Sequence, residues 1–128
     1  MTSLDANVVL RFLLGDIPEQ TEQATKLIEN STVYVTDVVV IEVVYVLEKV
    51  YRLSRSDICE LVLGFLNFSN VVHNPRFLVL ALAFYKGHPA LSIVDCHASE
   101  EAKSYGNELV TLDRRLINQG GDHVKPLS

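Results

Sequence analysis

Four acidic residues occupy places where an acid is costly or where a sheet presents its ligands: Asp5, Glu42, Asp95 and Asp113. Glu42 lies within VVVIEVVYVL, residues 38–47, where it is the one side chain charged at neutral pH. A helix apolar all round is buried, and a carboxylate inside it costs several kcal/mol unless it is paired or bound to a metal. Two other accounts remain open: Glu42 faces solvent from a narrow polar stripe, or it pairs with a guanidinium such as that of Arg11. Asp95 sits in ALSIVDCHA, residues 90–98, where it is either a ligand or a first-turn acid favoured by the helix dipole. Asp5 and Asp113 each follow a strand and have a turn or N-cap explanation of their own.

Taken together, two acids end strands at the face where α/β sheets bind ligands, and two others interrupt apolar helices. Carboxylates about 6 Å apart repel by roughly 3 kcal/mol per pair at an effective dielectric of about 20. Such a group would protonate or spread apart without a cation. A hard divalent ion, Mg²⁺ or Mn²⁺, resolves the conflict, because it takes oxygen ligands and leaves positions for phosphate. Zinc is not indicated, since His73, His88, His97 and His123 show no paired spacing and read as ordinary surface or core residues.

The elements that must position these acids alternate between strand and helix. A short strand runs through Leu4, a helix through Ala6–Leu14 ends at Gly15, and Asp16 with Pro18 opens a second helix over 18–29. Thr32–Val35 reads as a buried strand, and Thr36 or Asp37 caps a helix reaching about Arg52. Ser54 and Asp57 have capping-box spacing ahead of Ile58, Leu61, Val62, Phe65 and Leu66, the clearest amphipathic period in the chain. Val71–Val72 is a brief strand, Asn74-Pro75 opens a helix through Tyr85, and Ser92 caps another ending near Gly106. Glu108–Leu112 is a strand, Arg114–Asn118 a helical turn, and Val124–Lys125 an edge strand before Pro126. This alternation predicts an α/β fold in one domain, residues 1–128, around a central parallel sheet of four to five short strands.

With 128 residues, 48% of them hydrophobic, the chain can bury a core without staples. Cys59 and Cys96 lack ligand or redox spacing and read as reduced core thiols. No basic segment leads into a long apolar run, and no window approaches a membrane span, so a soluble cytoplasmic protein is expected. A formal net charge of −5 excludes a passive electrostatic binder of nucleic acid, which draws its affinity from Lys and Arg. An acidic protein acting on a polyanion needs a bound cation to reverse the local field.

These residues resemble the PIN domains, and within them the VapC-like toxins of toxin–antitoxin modules, over nearly the whole chain. LDANVVLRFLLGD, residues 4–16, resembles the family's opening, TDVVVIE, residues 36–42, its second motif, Asp95 its third acid, and TLD, residues 111–113, its fourth. Leu112 stands where members often carry an aromatic residue, Arg115 where they often carry an acid, and Cys96-His97 where a small residue often follows the third acid. The resemblance implies a three-layer α/β/α fold and a metal-dependent endoribonuclease. Asp5, Glu42 and Asp95 would be its main ligands and Asp113 would complete the pocket. Either Glu42 or Asp113 would orient or deprotonate the attacking water. Asn7 and Thr111 would hold the acids from behind, or serve only turn and strand chemistry. RNA would be gripped by cations, with Arg114 and Arg115 the ones that follow a ligand directly. The same likeness implies a homodimer and a cognate antitoxin whose basic side chain enters the acidic pocket.

Two rival readings remain. A receiver-like signalling module shares an acidic Mg²⁺ pocket but expects adjacent acids after the first strand, where this chain has Asp5 and Asn7. A housekeeping RNA-processing nuclease of the same fold has the same chemistry as a toxin.

Overall fold

The computed structural model describes all of residues 1–128. Seven helices and five short parallel strands form an α/β chain that divides into two compact units, Met1–Asn74 and Pro75–Ser128. Backbone hydrogen bonds join the five strands as one sheet of three and one of two, each strand only two or three residues long.

In the first unit the order is β1 (Thr2–Ser3), α1 (Ala6–Leu14), α2 (Pro18–Asn30), β2 (Val33–Tyr34), α3 (Asp37–Lys49), α4 (Arg55–Leu66) and β3 (Val71–Val72). The strands lie parallel in the order β1-β2-β3, with Ser3 opposite Tyr34 and Tyr34 opposite Val72. Ile28, Val33, Val35, Val43, Val44, Leu47, Ile58 and Val62 are among the most deeply buried side chains here. Gly15 ends α1 in the left-handed region, at φ 63°, a conformation that costs glycine little.

Helix α2 begins differently from the sequence expectation. Ile17, not Asp16, holds the N-cap position, with no side-chain cap. Asp16 is drawn instead to a charged partner: Arg11 Nη1 donates to both of its carboxylate oxygens at 2.7 and 2.8 Å. A charge-assisted pair of bonds outcompetes one neutral backbone N–H.

Thr36 caps α3 by accepting from the Val39 N–H, and Ser54 caps α4 by accepting from the Asp57 N–H. Along α3, Val40, Val43, Val44 and Leu47 are buried at i, i+3, i+4 and i+7. Val38 and Tyr45 on other faces are exposed, at 74% and 55%. The helix is therefore one-sided in burial although not in residue type, and it ends at Lys49 rather than Arg52.

The second unit runs α5 (Leu78–Gly87), α6 (Ile93–Ser104), β4 (Leu109–Thr111), α7 (Arg114–Gln119) and β5 (Val124–Pro126). α5 packs on α6, and β4 pairs in parallel with β5 from Leu109 opposite Val124 to Thr111 opposite Pro126. α5 starts three residues later than Asn74-Pro75 suggests, because Phe77 takes the N-cap position and buries its ring against His97, 5.2 Å between centroids. Gly120 ends α7 where a methyl group would come within 2.6 Å of the Leu116 carbonyl and 2.7 Å of Val124.

Candidate active site

Asp5 follows β1 and holds the N-cap position of α1, in extended backbone geometry. Aspartate there ordinarily accepts from an orphan N–H of the first turn. Here the Asp5 backbone carbonyl accepts from Val8 and Val9, and its carboxylate makes no hydrogen bond. Two residues past the paired positions Ser3, Tyr34 and Val72 come Asp5, Thr36 and Asn74, so all three stand at the carboxyl edge of the sheet. Asp37 is at the same edge, 3.5 Å from the Asn74 amide.

Glu42 lies in the second turn of α3. It is exposed, so of the accounts open for it the solvent-facing one holds and the buried one does not, because its face of α3 is not the one covered by the core. It has neither a hydrogen bond nor an ion pair, and Arg11, the alternative partner, is committed to Asp16 at 2.7 Å. That pairing holds the Arg11 guanidinium above its ordinary range. For Asp16, burial is the largest single influence and opposes ionisation, but the hydrogen bond and charge of Arg11, backbone hydrogen bonding and the Tyr51 hydroxyl together outweigh it, so its carboxyl stays below the usual range. Asn7 makes no hydrogen bond to Asp5; its exposed side chain lines a groove between α1 and α2 with Arg11 and Leu27.

In the second unit, Asp95 is half-buried at the third position of α6, where it and Ser92 form a reciprocal capping box. The Asp95 N–H donates to Ser92 Oγ at 3.1 Å, and the Ser92 N–H donates to Asp95 Oδ2 at 3.3 Å. The helix-start account of Asp95 is thus correct as local structure, and it still leaves Oδ1 without a hydrogen bond. Sequence reasoning found the cap at Ser92 but not the return bond, although its S-x-x-D spacing repeats that of Ser54 and Asp57, where only the forward bond forms.

Asp113 caps α7: its Oδ1 accepts from the Arg115 and Leu116 N–H groups at 2.8 and 3.2 Å. Thr111 Oγ1 accepts from the Asp113 N–H at 3.0 Å, fixing the backbone that carries the acid. Arg114 and Arg115 are exposed and neither has an ion pair. Cys96 is buried, and the four histidines have structural contacts, as with His88 Nδ1 on the Phe84 carbonyl and His123 Nε2 on the Ser99 carbonyl.

Within either unit, no three His, Cys, Asp or Glu side chains gather into a ligand cluster. The four acids are divided between the units, Asp5 and Glu42 in the first and Asp95 and Asp113 in the second. Every one keeps at least one oxygen free of hydrogen bonds, and none is neutralised by an internal cation. All-oxygen donors of this kind suit a hard divalent ion and leave room for phosphate.

The chain is 34% identical to a VapC ribonuclease of Aquifex aeolicus (strain VF5), over 98% of this chain and 97% of that protein. No solved structure gives a significant match. The PIN domain family matches residues 3–121, a stretch that contains all four acids. The chain belongs to the PIN domain family.

Proposed function

We propose that this chain is a divalent-ion-dependent endoribonuclease, the toxin of a VapBC-type toxin–antitoxin module, whose acidic residues Asp5, Glu42, Asp95 and Asp113 carry its metal chemistry. The observation that carries the reading is the state of Asp5. It stands at the carboxyl edge of a parallel sheet, in N-cap geometry, with its carboxylate uncommitted. The likeness to a VapC ribonuclease over nearly the full length of both chains supports it. The match to the PIN family spans both compact units, which supports their working as one domain.

Mg²⁺ or Mn²⁺ held by these carboxylates would neutralise the phosphodiester and activate the attacking water. The chain's own residues supply the rest. Asp95 is oriented by its box with Ser92, and Asp113 by its bonds to α7 and by Thr111. Of the two acids suited to take the proton of the attacking water, Glu42 has both oxygens free, whereas Asp113 has Oδ1 tied to the helix it caps. Glu42 is the proton acceptor in this account. Asn7, two residues from Asp5 on α1, would have to turn from the α1–α2 groove to bond that acid once it is loaded.

RNA is the substrate, a basic segment of the antitoxin enters the acidic site, and the active form is a cytoplasmic homodimer. No helix is long and apolar enough to cross a membrane. The test is incubation of the purified chain with end-labelled RNA, with Mg²⁺, with Mn²⁺ and with chelator. Internal cuts that require the divalent ion support the proposal. An intact substrate in all conditions, together with normal growth of cells expressing the chain alone, refutes it.

A further inference from the structure

A cleft of about 330 Å³ opens in the second unit at the carboxyl ends of β4 and β5. Thr111 and Pro126, the last residues of the two strands, form one side. Arg114, Ile117 and Asn118 form the other, being spaced to share one face of α7. Leu112, 79% exposed, completes the lining with Leu127 and Ser128. The cleft adjoins Asp113, which separates Leu112 from Arg114 in the chain.

Its lining is mixed in a way that suits one kind of occupant. Leu112, Ile117 and Pro126 offer aliphatic surface for the flat face of a base. Asn118 offers a donor and an acceptor for a base edge or a ribose hydroxyl. Thr111 accepts from the Asp113 N–H, and its own hydroxyl proton remains available to donate. Arg114 has no acidic partner in the protein, so its guanidinium is available to phosphate. The volume is at the small end of the range for ligand sites. A base paired in a helix cannot enter such a cleft, whereas a base splayed from a single strand can.

We infer that this cleft binds one unpaired nucleotide of the RNA substrate, with Arg114 on its phosphate and Asn118 on its base or ribose. The inference rests on the ribonuclease reading above and deepens it, because it places substrate selection next to Asp113. It also separates two neighbouring arginines: Arg114 lines the cleft and Arg115 does not.

The test measures binding of a fluorescein-labelled, random-sequence single-stranded RNA 12-mer by the full chain, in an Asp5→Asn background that prevents cutting. Arg114→Ala and Asn118→Ala are each expected to weaken binding roughly tenfold. Arg115→Ala should change it less than about twofold. Because Arg114 begins α7, thermal midpoints accompany each measurement, and Arg114→Lys is expected to recover part of the loss. Asn118→Asp, similar in size but negatively charged, should bind more weakly than Asn118→Ala. RNA affinity unchanged by Arg114→Ala, or reduced as much by Arg115→Ala, overturns the cleft assignment. Cutting that persists in the Asp5→Asn background overturns the ribonuclease site instead, so the two failures are distinguishable.

Discussion

Asp113 holds α7 by its first turn and, in the proposed site, also supplies a carboxylate, and two substitutions separate these duties. Asn is as good an N-cap as Asp, so Asp113→Asn should keep the stability of the wild type while RNA cleavage falls sharply. Asp113→Ala loses the cap as well and should cost about 1 kcal/mol in urea unfolding. Asp5→Asn carries no such structural cost, since the Asp5 carboxylate bonds nothing in the protein; cleavage should vanish with the urea midpoint unchanged. Asp16 gives the corresponding test in pH. Its folded-state pKa lies below the ordinary 3.8, so the Arg11 pair contributes fully above that value and fades as pH falls through the lower folded value. Asp16→Asn should therefore be less stable than wild type at neutral pH, with the gap closing only below about pH 3.8. At this scale the local places of Asp5 after β1, Asp95 in the first turn of α6 and Asp113 at the head of α7 were legible from turn residues and apolar runs. Their hydrogen bonds were not, because Ser54-x-x-Asp57 and Ser92-x-x-Asp95 look alike and only the second closes its box.

Helix starts carry much of the element-level information. Ser54 accepts from the Asp57 N–H, so Ser54→Ala should destabilise the chain by about 1 kcal/mol in denaturant unfolding. Gly120 tests how α7 is held against β5. A methyl there would meet the Leu116 carbonyl at 2.6 Å, and backbone cannot yield as a side chain can. Gly120→Ala should lose roughly 1–3 kcal/mol and loosen the elements that carry Asp113 and Arg114. Strand and helix order was readable from turn residues and apolar period in every case. The starts of α2 and α5 were not, because tertiary partners decided them: Arg11 takes Asp16 from the cap, and the burial of Phe77 delays the first turn of α5. Nor was the burial of α3 legible, since a run of Val and Ile on every face does not say which face the core will cover. Exposed Glu42 follows from that.

For the molecule as a whole, net charge and mechanism are linked. A chain of net charge −5 that cuts RNA needs cations where the phosphate sits, and none of the four acids is neutralised from within. The family match across both units leads us to expect one cooperative unfolding transition for the intact chain, the same by circular dichroism and by fluorescence, and two separated transitions would contradict it. The central claim of the proposed function is that Asp5 and Asp95 are each required for binding of the divalent ion. Titration of Mn²⁺ into the intact protein, followed by calorimetry for wild type, Asp5→Asn and Asp95→Asn, tests this most directly. Each substitution alone is expected to weaken Mn²⁺ binding by at least about tenfold. Undiminished Mn²⁺ affinity in either variant would contradict it.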